Sequence, residues 1–132
     1  MYRTLLFSAI FLTLPTVASA DTVDTLLDGY RQAGASDFSI ERGATAWKQS
    51  NLQAGNKESR SCQSCHGDDL KQLGKHATTG KKIEPMAPSV NPERLTDAAK
   101  IEKWFKRNCK WTLGRECSPQ EKGDYLVYLR QQ

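Results

Sequence analysis

Apolar positions recur at helical spacing in four stretches of the chain, and strand-like alternation is nearly absent. The first stretch predicts a short helix over about Val23 to Ala33. The second, about Ser39 to Gln49, sets Ile40, Gly43, Ala44 and Trp47 on one face, a small residue beside a large one. The third is predicted to start at an N-cap Thr96, with Asp97 in the first turn where the helix dipole favours an acid. Its inner face reads Ile101, Trp104, Phe105 and Asn108. The last opens on Ser118 as N-cap, Pro119 at the first helical position and Glu121 three residues after the cap, a capping box with its expected proline. Leu126 and Leu129 form its apolar stripe, flanked by Tyr125 and Tyr128. The expected fold class is therefore all-α. Between the second and third helices lies a segment from about Asn51 to Leu95 that is far longer than an ordinary connection and needs something to organise it.

Ahead of these helices, Arg3 is followed by an apolar run from Leu5 to Leu14, then Pro15 and the small-residue ending Ala18-Ser19-Ala20. This is the pattern of a secretory signal peptide, residues 1–20, cleaved after Ala20. The run is shorter than the roughly 20 residues needed to span a bilayer, and no second such run follows, so stable membrane insertion is not expected. The mature chain, 21–132, then suits one domain with one modest core, placed in an oxidising compartment, the periplasm of a bacterial source. Export also removes one basic residue, so the formal net charge falls from +4 to +3, which is no nucleic-acid signature.

The long segment contains Cys62-Gln63-Ser64-Cys65-His66. This is the spacing for covalent haem c attachment: two thiols add to the vinyl groups, and the adjacent imidazole of His66 takes the iron as proximal ligand. A thioredoxin-like redox pair would need a βαβ pattern, which is absent. A zinc site would need a second pair of ligands at similar spacing, and Cys109 and Cys117 stand too far apart for that. The sixth ligand is less determined. Met86 would make an ordinary electron carrier, and His76 a bis-imidazole centre closed to small ligands. Asn108, at the end of the apolar stripe of the third helix, needs a partner if buried, although from spacing alone a cap at the helix terminus explains it better.

The exported chain, the Cys-x-x-Cys-His motif, the Gly43-x-x-x-Trp47 helix before it and the Glu121 to Leu129 helix at the end together resemble class I cytochromes c. In those folds the first and last helices cross through a small-residue contact, which here would set Gly43 and Trp47 against Leu126 and Tyr128. The segments Lys81-Lys82-Ile83-Glu84-Pro85-Met86-Ala87-Pro88-Ser89, Arg107-Asn108-Cys109 and Gly114-Arg115-Glu116-Cys117 further resemble the SHP family of small, high-spin, oxygen-binding cytochromes c. That resemblance implies Asn108 as the ligand of oxidised iron, released on reduction, and a disulfide between Cys109 and Cys117. Met86 is a departure from the family, which has another apolar residue there. The chemistry agrees, since a neutral amide oxygen is a hard, weak donor better suited to ferric than to ferrous iron. With Cys62 and Cys65 used by haem, Cys109 and Cys117 are also the two thiols left, and their bridge would contribute about 2 to 3 kcal/mol by chain entropy.

The resulting expectation is a periplasmic electron-transfer protein that binds O2 or NO when reduced, with a dihaem c-type cytochrome as the donor the resemblance implies. The alternatives are a six-coordinate electron shuttle using Met86 or His76, and a reductase of the bound diatomic or a related small molecule. Turnover ranks below binding, because no dedicated proton-delivery group stands out. Lys71, Lys75, Lys81 and Lys82, all within sixteen residues of His66, read equally as a basic rim for acidic partners or as solvated loop lysines.

Overall fold

The computed structural model describes residues 21–52 and 58–132; the proposed signal peptide lies outside the described residues. Helices α1 (Thr22–Gln32), α2 (Ile40–Lys48), α3 (Gln63–His66), α4 (Ala98–Leu113) and α5 (Pro119–Arg130) alternate with four two-residue strands. These are β1 (Asn51–Leu52) paired antiparallel with β2 (Ser59–Arg60), and β3 (Gly74–Lys75) paired antiparallel with β4 (Lys82–Ile83). The two ladders and α3 are what organise the long segment between α2 and α4.

The centre of the packing is α5, because most of its side chains have a neighbour to bury against. On one side Leu126 joins Val23, Leu27 and Tyr30 of α1. On the other, Tyr125, Tyr128 and Leu129 join Trp47, Leu70, Ala87 and the Cys109 and Cys117 pair. The small residue of α2 makes the crossing with α5 close: a Cβ at Gly43 would lie 2.1 Å from the Asp124 carbonyl oxygen and 2.8 Å from Tyr128 Cβ. Gly43 and Trp47 thus meet Asp124, Tyr125 and Tyr128, while Leu126, expected in this crossing, points to α1 instead. Burying Asp124 here is made tolerable by saturation with donors. Its carboxylate accepts from Ser39 N (2.7 Å), from Arg42 Nε and Nη2 (2.8 and 2.9 Å) and from Gln120 Nε2 (3.2 Å).

The capping box of α5 forms as its residues dictate, Ser118 Oγ accepting from Glu121 N and the Glu121 side chain accepting from Ser118 N. The N-cap of α4 is Asp97, one residue later than expected: its carboxylate accepts from Lys100 N, and the Thr96 hydroxyl donates instead to the Glu93 carbonyl. Leu95, just before, holds φ of 63°, a costly conformation for a bulky residue. Its side chain packs against both hydrophobic clusters, which offsets that strain. Helix α4 also runs further than expected, to Leu113, and ends at Gly114 in the left-handed region. Asn108 and Cys109 are therefore interior to the helix, and the capping reading of Asn108 does not hold.

The Cys109–Cys117 disulfide closes α4 onto the start of α5. Beside it Arg115 grips Glu121 through both carboxylate oxygens, at 2.7 and 2.8 Å. Hydrogen bonding from Arg115 lowers the Glu121 pKa from its ordinary 4.5 to about 2. A carboxyl depressed in the native state stabilises the fold above its unfolded pKa, and that contribution disappears as pH falls from 4.5 toward 2. Because the pair is largely solvated, about 1 kcal/mol is expected after screening. Acid titration of unfolding free energies should accordingly find E121Q less stable than the parent at pH 7 by about that amount, with the difference closing between pH 4.5 and 2.

Candidate functional site

The Cys62–His66 segment is shaped by a reciprocal pair of serines. Ser61 N donates to Ser64 Oγ (3.0 Å) and Ser64 N donates to Ser61 Oγ (3.1 Å), which starts the single turn of α3. His66 N then closes on the Cys62 carbonyl at 3.2 Å. Helical spacing of three and four residues brings Cys62, Cys65 and His66 toward one side of that turn. The strand β3 lies tight against it: a Cβ at Gly74 would come within 2.5 Å of the Cys65 carbonyl oxygen, so only glycine fits there. Ala77 N donates to Cys65 Sγ at 3.4 Å.

The His66 ring lies 5.3 Å from the Trp47 ring. Burial, assisted by the nearby charge of Arg94, lowers the His66 pKa to about 4. The imidazole is thereby kept neutral, the form that offers a lone pair to a metal. Burial pushes the Cys62 thiol up to about 11, which is the opposite of what an activated redox cysteine or a thiolate ligand requires. Among the described residues no group of three His, Cys, Asp or Glu side chains could hold a bare metal ion, which disfavours the zinc reading.

Two further features fit a haem. Trp47 Nε1 is buried beside His66 with no hydrogen-bond partner, and a haem would bring carboxylates that could accept from it. Arg94, half-buried, donates to the backbone carbonyls of Pro85 (Nε, 2.8 Å) and Glu84 (Nη2, 2.6 Å) and has no salt-bridge partner among the described residues. Neither Trp47 Nε1 nor Arg94 was singled out from sequence as part of a site. Arg94 gave no signal there, because its partners are main-chain atoms and its effect on His66 acts across 28 positions of sequence.

The candidate sixth ligands are placed differently. Met86 is half-buried and packs against the cluster that includes Trp47 and Leu70, and its amide donates to the Leu70 carbonyl at 2.9 Å. His76 sits in a turn, its Nδ1 accepting from Thr78 N (3.3 Å) and Thr79 N (3.1 Å), with its ring 6.4 Å from Trp111. On α4, Cys109 and Thr112 are buried, with Ile101 and Phe105 half-buried on the same side. The neighbouring row, Trp104, Asn108 and Trp111, is not the inner face the sequence suggested. Trp104 is 43% exposed and Asn108 is exposed, because no other element of the described residues lies over them. The Asn108 amide has no hydrogen-bond partner among the described residues. Lys71, Lys75, Lys81 and Lys82 are all exposed, and Lys75 faces Lys82 directly across the β3–β4 ladder.

Residues 33–129 match the family described as a domain of unknown function, DUF1924. The chain is 40% identical over 132 residues, the full length of both, to the cytochrome c-type protein SHP of Cereibacter sphaeroides. It is 46% identical over 68 residues to cytochrome c'' of Methylophilus methylotrophus, 52% of this chain and 47% of that one. The solved structure of oxidised SHP, described as an oxygen-binding cytochrome c, aligns with a TM-score of 0.77 at 38% identity, covering 86% of this chain and all of the other. Oxidised cytochrome c'' from Methylophilus methylotrophus aligns with a TM-score of 0.72 at 32% identity, covering 84% and 94%. The helical architecture is that of a class I-like cytochrome c, and these relatives carry one haem c. With full-length identity to SHP, the DUF1924 match and the shared fold, the chain belongs to the SHP family of monohaem c-type cytochromes.

Proposed function

We propose that the protein is a periplasmic electron-transfer cytochrome, exported with loss of residues 1–20, whose haem is joined to Cys62 and Cys65 and held by His66, with Asn108 as a releasable sixth ligand. When bound, the haem supplies a one-electron couple and an iron with a position for an exchangeable ligand. His66, kept neutral by burial and Arg94, donates its lone pair on the proximal side. The Asn108 amide oxygen, a hard donor, would hold the iron in its ferric form and bind it less well in its ferrous form. Its NH2 group would then be available to donate a hydrogen bond to O2 or NO. Among the described residues no helix is long and apolar enough to cross a membrane.

The observation that carries the reading is the exposed, helix-interior position of Asn108 on α4, its amide without a hydrogen-bond partner among the described residues. An asparagine inside the helix does not cap its end, and its exposed amide is free to serve as a ligand. Met86 is supported as a packing residue by its contact with the Trp47–Leu70 cluster, and His76 as a turn residue by the two amides its Nδ1 accepts. The full-length relative described as an oxygen-binding cytochrome c points the same way. The exposed lysines of the β3–β4 ladder support an acidic redox partner, and a dihaem c-type cytochrome as donor is part of the proposal.

Visible spectra of the purified protein test this reading. The dithionite-reduced protein is expected to be high-spin and to shift on adding carbon monoxide. Sharp low-spin ferrous bands unaffected by carbon monoxide would mean a tightly held Met86 or His76 and would return the protein to the class of simple electron shuttles.

A further inference from the structure

Arg60 precedes Cys62 by two residues, and Trp111 follows Asn108 by three, one turn along α4. The two meet across the fold: the guanidinium carbon of Arg60 stands 4.5 Å from the Trp111 ring centroid, and Nη1 donates to the Trp111 carbonyl at 3.4 Å. That carbonyl belongs to the last turn of α4, where helical partners run out, and a cation is favoured at this end by the helix dipole. Arg60 holds this pose although its Nε is buried without a partner. A buried unsatisfied donor costs free energy, and the stack on Trp111 offsets that cost. Arg60, Ser64 of the haem motif and Trp111 also line one cavity of about 190 Å3. On the same ring, His76 approaches to 6.4 Å from the turn whose Ala77 amide donates to Cys65 Sγ. Trp111 is thus where the haem-attachment segment and the Asn108 helix are fastened together.

We propose that Arg60 is the positioning residue of the sixth-ligand site: stacked on Trp111 and bonded to its carbonyl, it sets the distance of Asn108 from the Cys62–His66 segment. This rests on the reading of Asn108 as iron ligand. The planar guanidinium both stacks and donates in a fixed direction, so lysine, with the same charge, does not replace it.

The test uses the holoprotein in its ferric form, comparing R60K, R60Q, W111L and N108A by absorption and electron paramagnetic resonance spectra and by the rate of cyanide binding. Cyanide must displace Asn108, so its association should quicken by roughly three- to tenfold in R60K and R60Q, the scale expected on losing one stacked cation and its hydrogen bond. Ferric spectra should move toward those of N108A, and R60Q added to N108A should change nothing further. If R60Q does not accumulate as holoprotein, R60K and W111L carry the same expectation. Parent-like ferric spectra and cyanide rates in R60K, R60Q and W111L, or effects that add fully to those of N108A, overturn the positioning role while leaving Asn108 as ligand. A ferric spectrum unaltered in N108A itself removes the ligand assignment and the positioning role together, an outcome readable without any Arg60 variant.

Discussion

Replacing Asn108 with alanine is expected to open the ferric site and leave the ferrous one open as before. On the proposed reading, the Asn108 amide of the parent, unpartnered by any described residue, would compete with exogenous ligands for ferric iron. In N108A that competition is gone, so stopped-flow cyanide binding should accelerate by about ten- to a hundredfold, the equivalent of removing one weak metal–ligand bond. The ferrous carbon monoxide adduct should form with a spectrum like that of the parent. Oxygen should leave reduced N108A about tenfold faster than reduced parent, because the hydrogen bond from the freed amide is lost. An unchanged ferric cyanide rate would show that Asn108 does not occupy the sixth position. No stability defect is expected, since an exposed helix residue is replaced by the best helix former.

The double substitution C62S/C65S should have the second large effect, complete loss of covalent haem. Serine keeps the volume and the α3 turn, whose Ser61 and Ser64 hydrogen bonds do not involve either thiol. Haem extracted into acidified organic solvent, and a protein mass without the haem increment, are the expected results. Each single variant should keep one thioether and an altered spectrum. Haem still covalently bound in the double variant would assign attachment to other residues. Loss of haem should also weaken the fold, because Trp47 Nε1 would stay buried beside His66 without an acceptor.

The helices were legible where local chemistry alone decides them. Ser118, Pro119 and Glu121 satisfy one another within one turn, so the start of α5 could be read from three letters. The haem motif is legible for the same reason, being five consecutive residues. Readings failed where the deciding contact is distant. Asp97 caps α4 because Thr96 is turned toward Glu93 and accepts at its own carbonyl from Thr22, 74 residues away. Leu126 faces α1 because Asp124, held by Arg42 and Ser39, sets the rotation of α5 at the Gly43 crossing.

The end of α4 was read too early because Asn, Cys and Lys at 108 to 110 look like a helix terminus in isolation. The disulfide and Gly114 place the stop at Leu113 instead. That shift matters for function, since it moves Asn108 from a terminal position to an interior one, where its amide has no hydrogen-bond partner among the described residues. The spacing puts Trp104 in the core, yet Trp104 is 43% exposed and no element of the described residues covers it and Asn108. Arg60 and Trp111 could not be paired from sequence, being 51 residues apart with no periodicity linking them.

The central claim is that Asn108 binds iron in the oxidised protein and leaves it in the reduced one. Crystal structures of the holoprotein in both redox states, grown in one crystal form, test this directly. The account predicts an Asn108 side-chain atom at bonding distance from ferric iron, opposite His66, and no protein ligand opposite His66 in the ferrous state. Met86 or His76 on the iron in either state, or Asn108 turned to solvent in both, would contradict it.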